Sequence, residues 1–180
     1  MDTRLIWVDL EMTGLDADQH TIVEIATIIT DAELNVVAEG PDLVIYQPES
    51  ALARMDEFVT NLHTKNGLLE KIRASTVSLA EAEAATFEFV KPYCKERTSP
   101  LCGNSIHKDR QFLERHMATF AAHLHYRNVD VSTLKELVRG WYGERVPPFV
   151  KGEKHRAKDD ILESIAELRY YRERVFVPVS

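Results

Sequence analysis

The sequence predicts a single α/β domain built on a mixed sheet covered by helices. Three observations lead there. Three extended segments follow one another near the start, helical-period and capping signals then alternate with short apolar runs, and no repeat, low-complexity tract or Ser/Gly linker interrupts the 180 residues. Strands in succession followed by alternating helix and strand make one sheet with helices packed on it. At roughly 150 residues per domain this length holds about one domain, so residues 1–180 read as one unit.

The elements follow in order. Leu5-Ile6-Trp7-Val8 is a short apolar run that stops at a Thr13-Gly14 turn, the pattern of a buried strand. Ile22–Thr30 is rich in Ile, Val and Thr, and Val36–Tyr46 is a broken, partly alternating run; both predict strands. A helix is expected near Met55–Leu62. Ser78-Leu79-Ala80-Glu81 is a capping box, and Leu79, Ala82, Phe89, Val90 and Tyr93 recur behind it at helical spacing. Pro100–Gly103 predicts a fourth strand. Phe112, Leu113, His116, Met117 and Phe120 then mark one helix. Val129-Asp130-Val131 predicts a fifth strand and is followed by a helix near Thr133–Trp141. Pro147-Pro148 and Lys151–Lys154 read as one polar loop, and Ile161, Ile165 and Leu168 mark the last helix.

Composition narrows the class. Hydrophobic residues are 44% and charged residues 28%, which excludes a disordered, collagen-like or coiled-coil chain. No stretch approaches the roughly 18 apolar residues of a membrane span, and the run Leu5–Val8 ends at Asp9, so neither an anchor nor a signal-peptide core is expected. Cys94 and Cys102 are the only cysteines, which suggests free thiols in a reducing, cytoplasmic setting. The 29 acidic and 22 basic groups give a net charge of −7. Proteins that grip long duplex nucleic acid show a basic footprint instead. A nucleotide enzyme whose acids hold cations stays open.

Taken singly, the notable acids have ordinary readings. Asp9 and Glu11 suit a solvated strand end, and Asp109 and the Asp159-Asp160 pair suit helix N-termini, where the dipole favours negative charge. Taken together they point elsewhere. Residues i and i+2 of a strand share a face, so Asp9 and Glu11 leave the first strand together. Asp109 follows the fourth strand directly, and sites in α/β sheets form beyond the carboxyl ends of strands. Asp160 can reach the same crevice from the last helix. Two carboxylates about 4 Å apart at an effective dielectric near 20 repel by roughly 4 kcal/mol. Such a cluster requires protons, basic partners or metal ions, and all-oxygen ligands suit Mg²⁺ or Mn²⁺. Glu24, inside the apolar run Ile22–Ile29, also requires a partner that the sequence does not name.

Three motifs carry a family resemblance: Asp9-x-Glu11-x-Thr13-Gly14, Gly103-Asn104-Ser105-x-x-x-Asp109 and His155-x-x-x-x-Asp160. They resemble, in order, the exonuclease motifs of the DEDD superfamily, histidine subtype. The segments Trp7–Leu15, His125–Arg127, Asp130–Leu137, His155–Ala157 and Asp159–Ile161 are similar to the branch that degrades very short RNAs. The resemblance implies an RNase H-like fold and a homodimeric 3′-to-5′ exoribonuclease. Two divalent ions, Mg²⁺ or Mn²⁺, would lie on Asp9, Glu11, Asp109 and Asp160, with His155 as general base. Its substrates would be short single-stranded RNAs, dinucleotides above all, cut to nucleoside 5′-monophosphates. Leu15 and Phe58 would wedge against the two bases; the family carries Trp at the position of Phe58. Ser105, Arg127, Ser132 and Thr133 would cap the 5′ phosphate, His63 would line the site, and Tyr126 would come from the partner subunit. His107 reads as a surface residue at a helix start. Two alternatives stand beside this reading: a related exonuclease acting on DNA or on longer RNA 3′ ends, and a non-catalytic nucleotide-binding protein.

Overall fold

The computed structural model describes residues 4–150, 152 and 156–177. Five strands form one sheet: β1 (Leu5–Met12), β2 (Ile22–Thr30), β3 (Val36–Val44), β4 (Leu101–Gly103) and β5 (Asn128–Asp130). Their order is β3-β2-β1-β4-β5. The first three pair antiparallel, whereas β4 runs parallel to β1 and β5 parallel to β4. The mixed α/β architecture expected from the sequence is present.

Alternation along β1 divides the core. Ile6, Val8 and Leu10 face a cluster containing Ala82 and Val90 of α4 (Leu79–Val90), Phe112 and Leu113 of α5 (His107–His116) and Phe120 of α6 (Ala118–His123). Trp7 faces the other way, onto Val131 and Val138 of α7 (Val131–Tyr142) and Ile161 and Ile165 of α8 (Ala157–Val175). With helices on both sides, β2 is buried at every residue, which explains its unbroken apolar run. Two earlier helices, α1 (Glu49–Leu52) and α3 (Leu68–Ala74), cover the end of β2, where Leu52, Leu68, Leu69 and Ile72 pack on Val23, and α2 (Glu57–Lys65) lies against α3.

The expected helix through Phe112–Phe120 is in fact two. Met117 adopts φ −136°, ψ 58° between α5 and α6, outside the helical region. The Glu83 carboxylate accepts the N–H groups of Thr119 at 2.7 Å and Phe120 at 3.1 Å, capping α6 from a neighbouring helix. Both helices face one core, so their apolar spacing runs on across the break. Val131 opens α7 instead of closing β5, because the Asp130 carboxylate accepts the Ser132 N–H at 3.0 Å as an N-cap. A short 3₁₀ turn, Gly143–Arg145, follows α7.

Candidate active site

The sheet brings the predicted acids together. Asp9 and Glu11 share the face of Trp7, the side covered by α8. They lie within β1, opposite Ala26 and Glu24 of β2. Because β1 and β4 are parallel, their carboxyl ends share an edge, and α5 begins just beyond β4. Asp109, in the first turn of α5, is buried, and its Oδ1 accepts the Leu10 N–H at 3.0 Å. Asp160 projects from the first turn of α8. Ligand-capable oxygens of Asp9, Glu11 and Asp160 lie within 4.8 Å of one another, and Asp109 flanks this trio, near enough to perturb Asp9. The Thr13-Gly14 turn past β1 is tight. A Cβ on Gly14 would meet the His20 ring at 2.5 Å.

Electrostatics show what the cluster lacks. Burial, then the charges of Asp109, Asp160, Glu11 and Glu24, push the Asp9 carboxyl well above its usual range. Burial and the charges of Glu24 and Asp160 push Glu11 up to about 8, against the opposing pull of Arg156. Burial raises Asp109 to about 7 despite the Leu10 N–H. Acids held this way favour protons or cations. Convergent carboxylate oxygens form a donor set that fits hard divalent ions.

The raised pKa values give a pH prediction. Unfolded carboxylates release their protons near 3.8 for Asp and 4.5 for Glu, whereas Glu11 in the fold holds its proton to about 8. The folded state therefore binds more protons, and stability falls as pH rises. The melting temperature of the metal-free protein is expected to drop between about pH 5 and pH 8. Saturating Mn²⁺ should remove most of the drop, since a cation stabilises the ionised acids. A metal-free melting temperature that rises through this window contradicts the assignment.

The other predicted residues are spread over several elements. Leu15 and Phe58 are 70% and 74% exposed, so Phe58 is no core residue of α2. His63 is buried, with Nε2 donating to the Met12 carbonyl at 2.9 Å and Nδ1 at 4.0 Å from Glu11 Oε2. In that tautomer Nδ1 is an acceptor, and it has no hydrogen-bond partner among the described residues. Ser105 adopts a left-handed φ of 51°. Its N–H donates to Asp130 Oδ1 and to Ser132 Oγ, both at 3.0 Å, so β4 and the start of α7 are tied together. Thr133 and Arg127 are exposed beside these segments. Tyr126, 74% exposed, packs on His125 and under the Arg127 guanidinium. His107 stands at the start of α5 with its Nδ1 3.7 Å from Asp130 Oδ2, as expected of a surface residue. His155 lies outside the described residues.

Two sets of partners could not be read from the sequence. Glu24, fully buried, receives the Arg156 guanidinium and accepts the Ala157 N–H at 3.3 Å, so a strand carboxylate caps α8. Arg156 was legible only as the neighbour of His155. Asn104, quoted above only as part of a motif, is bonded to α7 and α8 at once.

Comparison with known proteins agrees with this geometry. An exonuclease family model, RNase_T, matches residues 6–168. The chain is 58% identical over 174 residues to the protein named oligoribonuclease from Pseudomonas syringae pv. syringae, covering 97% of each chain. It is 55% identical over 175 residues to the oligoribonuclease of Vibrio parahaemolyticus, again covering 97% of each. Among solved structures it resembles an exonuclease I from Methylocaldum szegediense, with a TM-score of 0.73 and 20% identity over 96% of this chain and 41% of that one. It also resembles E. coli exonuclease I bound to a 5cy-dT13 oligonucleotide, with a TM-score of 0.75 and 13% identity over 97% of this chain and 42% of that one. The chain thus spans about two fifths of the length of those structures, and at such identities the likeness is one of fold. The family-model match over most of the chain and the high identity to relatives of the same length show that the chain belongs to the exonuclease family, in its oligoribonuclease branch.

Proposed function

We propose that this chain is a 3′-to-5′ exoribonuclease that removes nucleoside 5′-monophosphates from very short RNAs, dinucleotides above all. The observation that carries the reading is the convergence of Asp9, Glu11 and Asp160 within 4.8 Å, flanked by Asp109, at the carboxyl edge of β1 and β4. Leu15 and Phe58 are exposed, as residues that contact bases would be. Asp9, Glu11, Asp109 and Asp160 would hold two divalent ions, Mg²⁺ or Mn²⁺. When bound, the ions supply positive charge to the scissile phosphate and its leaving 3′-oxygen.

The chain's residues then divide the work. Leu15 and Phe58 hold the two bases by apolar contact and stacking. Ser105, Arg127, Ser132 and Thr133 form the pocket for the 5′ phosphate on two adjoining segments. His155 takes the proton of the attacking water; an ordinary His pKa near 6.5 suits that exchange at neutral pH. The water oxygen bonds to phosphorus, the bond to the 3′-oxygen breaks, that oxygen takes a proton from solvent to become the new 3′-hydroxyl, and a 5′-monophosphate leaves. A capped 5′ end limits length, because little chain fits between cap and acids. His63 supports the floor through Met12. A homodimer in the cytoplasm is part of this reading, with Tyr126 supplied across the interface; its exposure and its contacts with its own neighbours His125 and Arg127 are consistent with that.

Phe58→Ala is expected to weaken dinucleotide binding by about 1–3 kcal/mol. Phe58→Trp should match or exceed the wild type, because the indole offers a larger stacking face. KM measurements on both variants check this, and an unchanged KM for Phe58→Ala removes Phe58 from the site. Polarity is tested with a 5′-labelled tetranucleotide in Mn²⁺ and in EDTA. A ladder of progressively shorter labelled products, absent in EDTA, supports the reading. Immediate release of the labelled mononucleotide contradicts it.

A further inference from the structure

The two parts of the proposed site lie on different elements. The acids sit on β1, α5 and α8, whereas the 5′-phosphate residues sit at the β4–α5 turn, just before β5 and on α7. A length limit requires a fixed distance between them. One side chain bridges that gap. Asn104 Nδ2 donates to Ser164 Oγ at 2.8 Å and to Glu167 Oε2 at 3.1 Å, both on α8, while its Oδ1 accepts the Ser132 hydroxyl at 3.1 Å.

The directions of these bonds are determined by chemistry. The Ser164 hydroxyl donates to the Asp160 carbonyl at 2.8 Å, so its oxygen is left to accept. Glu167, fully buried, accepts the Tyr171 hydroxyl at 3.1 Å on its other oxygen. With acceptors on the α8 side, the Asn104 amide nitrogen must face α8 and its oxygen must face Ser132. Ser132 Oγ in turn accepts the Ser105 N–H at 3.0 Å and lies 3.2 Å from the Ser105 hydroxyl. A continuous path therefore runs from the helix that carries Asp160, through one amide, to the two serines of the cap. At the α8 end Ser164 and Glu167 are buried, so a bond broken there leaves a polar group unpaired and the network holds one arrangement.

We infer that Asn104 is a positioning residue for substrate length: it fixes the 5′-phosphate pocket at a set distance from the Asp160 helix. The inference rests on the cap reading above and adds the element that sets the spacing. Asn104 touches no reacting atom. Its loss should spare the acids and loosen the cap, so short substrates suffer more than long ones.

The test compares kcat/KM for a 5′-phosphorylated dinucleotide and a 5′-phosphorylated hexanucleotide, with Mn²⁺ binding followed by calorimetry. In Asn104→Ala the ratio of dinucleotide to hexanucleotide is expected to fall about tenfold, through KM, which is the scale of one or two lost hydrogen bonds. Mn²⁺ affinity should stay within about twofold. Ser164→Ala removes one oxygen and keeps the amide, so it should shift the ratio in the same direction and guards against a variant that fails to fold. In the pair Asn104→Asp with Glu167→Gln, the amide donor and the carboxylate acceptor change places, and the ratio should recover relative to Asn104→Asp alone. Equal loss on both substrates, or an unchanged ratio in both alanine variants, overturns the assignment. A wild-type enzyme with no dinucleotide preference overturns the cap reading first, and this inference with it.

Discussion

Asp9→Asn is expected to lower turnover by at least about a thousandfold while making the metal-free protein more stable at pH 8. The loss follows from the place of Asp9 in the cluster: its carboxylate is repelled by Asp109, Asp160 and Glu11, and its oxygen converges with those of Glu11 and Asp160 as a donor for a cation. A cation that offsets charge on the scissile phosphate contributes several kcal/mol, and each 1.36 kcal/mol is tenfold in rate. The gain in stability has the same origin. Burial and like charge make the ionised Asp9 unfavourable in the fold, and an amide removes that cost without changing shape. Steady-state turnover and thermal melting in EDTA check the two halves. Lost activity together with lost metal-free stability would mean that Asp9 is a structural residue, and retained activity would dissolve the site.

Glu24→Ala is expected to destabilise the protein by about 3 kcal/mol, the scale for breaking a buried ion pair by removing one partner. For a chain of this size that is roughly 6–12 °C in melting temperature. The Glu24 side chain is 0% exposed and Arg156 25%, so water screens the pair poorly. The variant also leaves the Ala157 N–H without its acceptor at the start of α8. One effect runs the other way: the Glu24 charge raises the pKa of Glu11, and its removal relieves that repulsion. The pair is expected to win, because it offers direct bonds from guanidinium and backbone to one carboxylate, whereas the repulsion acts between unbonded groups. Glu24→Gln keeps an acceptor and should cost less. Denaturant melts of both variants decide; a Glu24→Ala protein as stable as the wild type removes the clasp from the reckoning.

The strands and the acids were the most legible parts of the chain. Leu5–Val8 and Ile22–Thr30 announce buried strands because apolar and β-branched runs have few other places to go. The i, i+2 spacing of Asp9 and Glu11 puts both on one face whatever the rest of the fold does. What the sequence concealed depends on contacts between distant segments. The break at Met117 is held by Glu83 on another helix, so local periodicity misses it. The start of α7 depends on whether Asp130 ends a strand or caps a helix, and only the Ser105 and Ser132 N–H groups converging on it settle the matter. Glu24 was visible as an anomaly, but its partner stands 132 positions away. Asn104 read as part of a motif, and its bonds to α7 and α8 appear only once the chain has folded. The helices α1 and α3 are four and seven residues long, too short to show a period.

The most direct test of the central claim is a length series. The pure protein is incubated in Mg²⁺ or Mn²⁺ with 5′-phosphorylated RNAs from two to about twenty nucleotides, and kcat/KM is measured for each. The expected result is metal-dependent release of mononucleotides, fastest on the dinucleotide and falling with length. Faster cleavage of the longest strands would contradict the short-substrate reading and place the chain with exonucleases of long 3′ ends, and no cleavage with either metal would leave only a nucleotide-binding role.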